Sequence, residues 1–297
     1  MTVVGEWLTR RSCSQCRRPA VRHRPGGSAV VPQLITDPRD ERVADFHDLF
    51  AGDRRPGTER GTGPVIVEGV TAVERLLETG LPLRAVYGVA GRLAALDLPD
   101  GVPAYEADKW VVSETIGFRL TRGVLASAER PETPDLDALL AGPDPTAPRR
   151  IAVLEGLNDH ENIGSIGRSA VALGVDALLL DPTCADPYYR RSVRVSMGHL
   201  LTLPVRVLTD WPGDLDRVRA AGYTTVALTP AADAVDLGAL DPTAHPRTAL
   251  LLGAEGPGLS AAAQAAVDVR ARIPMRSGVD SLGVAAAAAV AFATLRS

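Results

Sequence analysis

Three polar stretches in the second half of the chain carry side chains that could bind and polarise a ligand. The first, NDHENIGSIGR, contains the amide of Asn162 and the guanidinium group of Arg168. The second, GAEGPG, contains the carboxylate of Glu255, and the third, PMRSGVDS, ends on the hydroxyl of Ser281. Such groups orient a ligand through hydrogen bonds, and a guanidinium group also stabilises developing negative charge. Structural readings exist as well, because Asn162 could cap a helix and Arg168 could be a solvated surface charge.

The glycines around Glu255 do not follow a known nucleotide-binding pattern. A dinucleotide fingerprint needs GxGxxG with an acidic residue about 20 positions later, and a Walker sequence ends in GK[ST]. Neither pattern occurs at LLGAEGPGLS, residues 251–260, where Ser260 is instead predicted to cap a helix. An α/β enzyme that acts on a small molecule with a nucleotide cofactor is therefore a disfavoured alternative.

Small residues in two segments predict that a ligand or another part of a protein packs closely against the backbone there. Gly164 and Gly167 lie inside the helix predicted to follow Asn162, although glycine destabilises a helix interior relative to alanine. An alanine-rich run follows Ser281 and predicts a helix with hardly a polar atom. We expect a ligand or a second chain to lie against these segments.

Nearly continuous apolar runs alternate with helical segments through the second half of the chain. This pattern predicts a parallel sheet with helices on both faces, and ligands bind such sheets beyond the carboxyl ends of the strands. The first, fourth and fifth runs lead into the three polar stretches, so we expect those stretches to meet at one edge. The predicted strands are 151–156, 177–181, 223–229, 248–253 and 269–275.

The first half of the chain predicts a smaller α/β unit over residues 31–140, with a flexible Gly- and Arg-rich loop at 51–64. A Pro-rich linker at 141–150 joins it to the second domain, 151–297. Within the smaller unit the predicted strands are 65–69, 83–88 and 123–129, and the predicted helices are 70–80 and 107–117.

Composition and the N-terminal segment exclude several classes of protein. Hydrophobic residues make up 45% of the 297, but the alanine-rich run is too short and too weakly apolar to cross a membrane. No signal peptide is expected, which favours a cytoplasmic protein. A net charge of −4 excludes a wholly basic nucleic-acid coat while allowing a local basic surface. Residues 1–30 read as a basic disordered tail, and its Cys13 and Cys16 lack the second cysteine pair that a zinc site would need.

In order and spacing, the three polar stretches resemble the signature motifs of the TrmH (SpoU) branch of the SPOUT superfamily. These are S-adenosylmethionine-dependent RNA methyltransferases that modify the ribose 2′-hydroxyl. The matching segments are NDHENIGSIGRSA, LLGAEGPGLS and IPMRSGVDSLGVAAA, and the upstream VIVEGVTAVERLLETGLPLRAVYG is similar to the family's substrate-binding domain. The resemblance implies a parallel-sheet α/β domain with a deep trefoil knot, preceded by a small ribosomal-protein-like α/β domain. It also implies a homodimer that acts on structured RNA, ribosomal RNA more than transfer RNA.

The resemblance assigns roles to individual residues. The methyl donor is expected to contact Gly253, Ile273, Met275 and Leu282. The catalytic set is expected to be Asn162, Arg168, Glu255 and Ser281. Because guanidinium groups keep their proton in proteins, Arg168 is expected to stabilise the developing alkoxide, while the proton acceptor stays open between water, Glu255 and an unusually perturbed Arg168. No metal is expected.

One position departs from the family pattern. The third motif usually reads Ser-Leu-Asn, whereas this chain has Gly283 in place of the asparagine and so lacks an amide that helps to hold the site. A weakly active or silent RNA- or ribosome-binding protein of the same fold is therefore the alternative from another functional class.

A basic segment, DPYYRRSVRVSMGHL at 186–200, follows the second predicted strand of this domain. Helical spacing places Arg190 and Arg194 together, and two tyrosines beside them could stack on bases. We predict that RNA contacts Arg190, Arg191 and Arg194. The structural alternative is a solvated basic face with buried tyrosines.

Overall fold

A computed structural model describes residues 30–49 and 62–296. The predicted tail at 1–30, its CxxC pair and the predicted loop at 51–64 lie almost entirely outside these residues. No helix within the described ranges is long and apolar enough to span a bilayer.

The first half of the chain forms a five-stranded mixed sheet with helices packed on it. Its elements are β1 (Gln33–Leu34), a 3₁₀ helix (Glu41–Phe46), β2 (Val65–Glu68), α1 (Val70–Thr79), β3 (Leu83–Gly88), α2 (Ala90–Leu93), β4 (Ala104–Glu106), α3 (Lys109–Ile116) and β5 (Val124–Ala128). The next helix, α4 (Leu136–Ala141), packs on the second sheet, because its three leucines are buried in the same cluster as Ile151 and Val153. The core of the second half therefore begins before the predicted linker. The strand order is β1-β4-β3-β5-β2, in which β5 runs antiparallel to both of its neighbours. All five predicted elements are confirmed to within two residues, while β1, β4, α2 and α4 were not foreseen.

The second half forms a seven-stranded sheet. Its elements are β6 (Arg149–Glu155), α5 (His160–Ala172), β7 (Ala177–Leu180), α6 (Arg190–Val195), a 3₁₀ helix (His199–Thr202), β8 (Val205–Val207), α7 (Asp214–Ala220), β9 (Thr224–Leu228), β10 (Val235–Asp236), a 3₁₀ helix (Leu237–Ala239), β11 (Arg247–Gly253), α8 (Ala261–Ala265), β12 (Val269–Arg272) and α9 (Val284–Thr294). The order is β10-β12-β9-β11-β6-β7-β8, and every pair is parallel, as predicted. The sequence did not indicate β8 or β10, the two short edge strands.

Burial on both faces explains why the strands of this sheet read as continuous apolar runs. Along β6, Ala152 and Leu154 belong to the core cluster that includes helices α5 and α9, whereas Ile151 and Val153 belong to the cluster on the opposite face. Alternate residues of a strand point to opposite faces, so a strand covered on both sides must be apolar at every position.

The alanine-rich C-terminal helix α9 packs on α5, as its small side chains allow. A half-buried guanidinium group fastens the ends of both helices, because Arg150 Nη1 donates to the carbonyl of Phe292 at 2.9 Å and Nη2 donates to that of Leu173 at 2.6 Å. These bonds satisfy carbonyl groups at helix ends that have no partner within their own helix.

The two sheets share a core across the segment that joins β7 to β8. Val193 and Leu201 of that segment are buried in the same cluster as Val65 and Leu76 of the first half. The predicted linker therefore separates the two sheets in sequence without separating their packing.

Candidate active site

The stretches that follow β9, β11 and β12 meet in one cavity of about 400 Å³ at the carboxyl edge of the seven-stranded sheet. These strands are neighbours in the sheet, so their carboxyl ends lie side by side. Six of the residues predicted from sequence line this cavity: Gly253, Glu255, Ile273, Met275, Ser281 and Leu282. The expected meeting of the second and third polar stretches is confirmed.

The first polar stretch lines a second space of about 520 Å³, named the polar cleft for its asparagine and carboxylate side chains. Asn158, Asp159 and Asn162 contribute to it from the loop after β6 and the first turn of α5. Glu255 and Ala254 line both spaces, so the two are adjacent and the Glu255 carboxylate stands at their boundary.

A tight turn after β11 explains the glycines around Glu255. A Cβ at Gly253 would come within 2.2 Å of the backbone at Gly258 and Leu259, so no side chain fits there. Gly256 and Gly258 have φ values of 87° and 71°, a region that glycine enters without strain. The chain can therefore fold back sharply and present Glu255 at the sheet edge.

A buried carboxylate stabilises this turn through hydrogen bonds. Glu155, at the end of β6, accepts hydrogen bonds from the indole Nε1 of Trp211 at 2.6 Å and from the backbone N–H of Ser260 at 2.8 Å. The Ser260 side chain in turn accepts from the N–H of Ala263, which confirms it as the N-cap of α8. Three separate loops are thus fastened to one another beside the cavity.

Comparison with known proteins identifies the fold that builds this cavity. The family model of the SpoU rRNA methylase family matches residues 149–293. A tRNA/rRNA methyltransferase of Mycobacterium bovis, itself uncharacterized, is 49% identical over 264 residues, which cover 88% of this chain and 90% of that protein. This chain belongs to the SpoU rRNA methylase family.

Two further similar proteins have names that specify chemistry. The 23S rRNA (guanosine(2553)-2′-O)-methyltransferase RlmP of Bacillus subtilis is 25% identical, covering 88% of this chain and 98% of that one. The crystal structure of the SpoU methyltransferase AviRb from Streptomyces viridochromogenes, in complex with the cofactor AdoMet, is 30% identical with a TM-score of 0.66. That match covers 78% of this chain and 89% of AviRb.

Asn162 does not cap helix α5, contrary to its structural interpretation, because the helix begins about one turn before it. Its N-cap is Asp159, whose carboxylate accepts from the N–H of Glu161 at 2.8 Å. Asn162 is therefore the third helical residue, and its side chain is left to line the polar cleft.

The glycines inside α5 contact another part of the same chain. A Cβ at Gly164 would lie 2.6 Å from the Ser192 carbonyl oxygen in α6, and one at Gly167 would lie 2.4 Å from the Leu200 side chain. The expectation that a ligand or a second chain approaches these glycines is wrong. Sequence revealed the close approach but could not reveal which segment approaches.

Arg168 lies on α5 but lines neither the cavity nor the polar cleft of its own chain. Six residues of helix separate it from Asn162, which turns it about 120° around the helix axis and moves it about 9 Å along it. Its exposed side chain lies near His199 instead, where burial and the charges of Arg75 and Arg168 lower the pKa of the imidazole.

The structure gives Arg190 a different role from the predicted phosphate contact. Its side chain is 11% exposed and forms an ion pair at 3.4 Å with Glu68, a residue of β2 that is 1% exposed. Its guanidinium group also lies 4.5 Å from the centre of the Phe118 ring. Arg190 therefore packs between the two sheets, whereas Arg191 is exposed and Arg194 is half-buried.

The tyrosines of this segment are also engaged within the chain. Tyr188 is packed against the cores of both halves, and burial raises the pKa of its phenol. The ring of Tyr189 lies 4.4 Å from that of His160 at the start of α5. Tyr188 is half-buried, so it comes closer to the structural alternative than to a free stacking surface.

Sequence reasoning missed the contribution of β9 to the cavity. Leu228, Thr229 and Pro230, at the carboxyl end of that strand, line one wall. The strand itself was predicted, but only its position between β11 and β12 in the sheet shows that its end belongs to the site. Among residues 30–49 and 62–296, no group of three or more His, Cys, Asp or Glu side chains could hold a metal ion.

Proposed function

We propose that this SpoU-family chain transfers a methyl group from S-adenosylmethionine to a ribose 2′-hydroxyl of RNA. The observation that carries the proposal is the adjacency of two spaces that share one carboxylate. A cavity lined by several aliphatic side chains, which suits a methyl donor, abuts a cleft lined by asparagine and carboxylate side chains, which suits a nucleotide, and Glu255 borders both.

The cavity fits S-adenosylmethionine in size and in chemistry. Its volume of about 400 Å³ lies in the range of about 300–1,000 Å³ typical of pockets for drug-sized ligands. Leu228, Ile273 and Leu282 offer apolar surface for an adenine ring, while Thr229, Ser281 and backbone groups of the turns offer hydrogen bonds. The methyl donor bound to the relative AviRb is the same compound.

Bound S-adenosylmethionine would supply an electrophilic methyl group. Its C–S bond would break as the hydroxyl oxygen forms the new O–C bond and loses its proton, with S-adenosylhomocysteine as the leaving group. The chain must hold the hydroxyl in line and help to remove that proton, and positioning of this kind can lower a barrier by about 7–11 kcal/mol. Asn162 lies where it can hold the nucleotide through its amide. Glu255 is the carboxylate placed between the two spaces, so it can accept the proton directly or through water.

Arg168 would reach this site from a second copy of the chain. Within one chain it lines neither space. The outer face of α9 consists of small residues and Val290, which is 41% exposed, and the nearby Val279 is 50% exposed. A homodimer that covers this face would bury the apolar surface and could bring Arg168 of each copy to the cleft of the other, where it would stabilise the alkoxide.

Mixed dimers test this arrangement directly. Arg168→Ala and Leu282→Asp should each inactivate the homodimer, one by removing the guanidinium group and the other by placing a charge in the cavity. Random exchange of the two inactive proteins should restore about a quarter of wild-type activity, because half the dimers are mixed and each has one intact site. No recovery, despite mixed dimers detected by mass spectrometry, would place Arg168 in the site of its own chain or outside any site.

The deep trefoil knot belongs to the same proposal. Its support here is that the chain leaves β12, forms one wall of the cavity at 273–287 and then packs α9 on α5. A threaded C-terminus would hold the walls of the cavity together. We therefore expect the methyl donor to bind without a large closing movement of a lid.

Ribosomal RNA is the proposed substrate class, and the cytoplasm is where the enzyme would meet it. Support comes from the Bacillus subtilis relative, whose name specifies a 2′-O-methyl group in 23S rRNA. Transfer RNA is the competing substrate. Mapping of ribose methylation in total RNA from cells with and without the gene should reveal one lost 2′-O-methyl site in ribosomal RNA. A lost site in transfer RNA would change the substrate class, and an unchanged map would refute the enzymatic function.

A silent RNA-binding protein is the second candidate, and one observation favours it. Gly283, which stands where the family pattern has asparagine, lies at the cavity wall, where a Cβ would be 3.6 Å from Glu255 Oε1. Calorimetry separates the two functions, since an active enzyme must bind S-adenosylmethionine whereas a silent relative need not.

A further inference from the structure

A groove of about 680 Å³ runs beside helix α3 in the first half of the chain. Helix α3 buries Val111, Val112 and Ile116, so its apolar face already has a partner. Trp110 is not part of that face and is 61% exposed on the wall of the groove. The exposed indole offers a flat apolar face on which another ring could stack.

The surroundings of the groove are basic. Lys109 and Arg119 line it together with one acidic residue, Glu114. The loop that carries Arg119 continues to Arg122, also exposed, which lies across Gly69. Within the described ranges, none of these three cations takes part in an ion pair, unlike Arg190 or Arg130. A chain with net charge −4 thus keeps unneutralised positive charge around an exposed aromatic ring.

A continuous series of contacts leads from the groove to the polar cleft. Phe118 lines the groove and packs against the Arg190 guanidinium group at the start of α6. The preceding residue, Tyr189, contacts His160 at the start of α5, directly beside Asp159 of the cleft. These contacts tie the wall of the groove to the loop that lines the cleft.

We propose that this groove binds a single-stranded segment of the RNA substrate, with an unpaired base stacked on Trp110 and phosphates held by Lys109, Arg119 and Arg122. Combined aromatic and cationic surfaces are what proteins use to bind single strands, because every base has a face that can stack while the backbone is uniformly charged. Bases in a duplex are already stacked on each other and cannot lie on an indole. The inference rests on the proposed function for the identity of the polymer as RNA.

Binding of a short mixed-sequence oligoribonucleotide, alone and annealed to its complement, tests the groove. We expect the full-length protein to bind the single strand more tightly than the duplex, and Trp110→Ala to weaken single-strand binding by about fivefold or more. Trp110→Phe, which keeps a ring, should recover much of that loss. Val235→Ala is the matched control, because Val235 is also an exposed apolar residue (46%) but lies on the edge strand β10.

Salt dependence tests the phosphate contacts separately. Arg119→Ala should lower the slope of log affinity against log salt by about 0.7, the value for one phosphate of a single strand. Arg39→Ala, an exposed arginine elsewhere in the first half, should leave the slope unchanged.

The outcomes distinguish this inference from the proposed function. Equal single-strand affinity for wild type and Trp110→Ala, equal losses in Trp110→Ala and Val235→Ala, or a preference for duplex would each overturn the groove assignment. If methyl transfer to RNA proceeds with an unchanged KM in Trp110→Ala, the groove is wrong and the proposed function stands. If Trp110-dependent binding occurs without methyl transfer by wild type, the groove stands and the proposed function is wrong.

Discussion

The carboxyl edge of the seven-stranded sheet and the segment 186–200 look alike in sequence, since both are polar, rich in turn residues and plausible for RNA chemistry. The structure separates them. At the sheet edge, the loops after three neighbouring strands line a common cavity. In the segment 186–200, Arg190 and Tyr188 turn inward and join the two halves of the molecule.

The two regions differ in what determines where their residues lie in the fold. In a parallel sheet, strand direction alone sends every carboxyl end to the same edge, so loops distant in sequence meet whatever their details. In a six-residue helix such as α6, spacing shows which residues share a face but not what covers that face. A loop's position after a strand is therefore stronger evidence of function than the charge of a helix.

The largest expected effect on stability comes from breaking the contact between the two sheets. Arg190→Ala would leave the Glu68 carboxylate, 1% exposed, without its ion-pair partner. Removing one member of a buried pair costs about 3–5 kcal/mol of unfolding free energy, so chemical denaturation should show a loss of that size. The adjacent Arg191→Ala, on an exposed side chain, should change stability by less than about 0.5 kcal/mol.

A double variant decides whether the loss comes from the unpaired charge. Glu68→Leu combined with Arg190→Met replaces the pair by apolar groups and should recover most of the stability, because such replacements are often neutral. If Arg190→Ala costs no more than Arg191→Ala, the segment is not the structural joint described here.

A smaller effect is expected where α5 meets α6. The Cβ of Gly164→Ala would lie 2.6 Å from the Ser192 carbonyl oxygen, and overpacking of this kind costs about 1–3 kcal/mol. The thermal midpoint should fall while the oligomeric state, measured by light scattering, stays the same. A change of oligomeric state with unchanged monomer stability would restore the idea that this glycine faces a second chain.

The smallest expected effect is a gain in stability. Gly283 is the N-cap of α9, has φ −56° and ψ 143°, and makes no side-chain capping bond. A Cβ there would have its nearest neighbour, Glu255 Oε1, at 3.6 Å, which is ordinary contact. Gly283→Asn should therefore fit, stabilise the protein by a few tenths of a kcal/mol through helix capping, and place an amide beside Glu255.

Activity measurements on the same variant address the missing asparagine. A higher methylation rate for Gly283→Asn would show that the glycine weakens catalysis in the wild type. An unchanged rate with the expected stabilisation would assign the asparagine of the family pattern to capping. Loss of stability would contradict the geometry of the cavity wall.

Sequence predicted the parallel sheet and most of the cavity because apolar runs and the loops after them are local signals. It missed β8 and β10, which have two or three residues each and lie at the sheet edges, where no long apolar run is needed. It missed Thr229 because strand order is a long-range property. It misjudged Arg190 because a guanidinium group can be buried when it gains an ion pair and an aromatic ring, and sequence does not show either partner.

The central claim is that the cavity at the carboxyl edge holds the methyl donor, and calorimetric titration with S-adenosylmethionine tests it most directly. The account predicts one bound donor per chain for the wild type and no measurable binding for Leu282→Asp, whose carboxylate would enter the cavity. Val235→Asp, an equal change on the exposed edge strand β10, should bind like the wild type. Undiminished binding by a folded Leu282→Asp protein, or no binding by the wild type, would contradict the assignment.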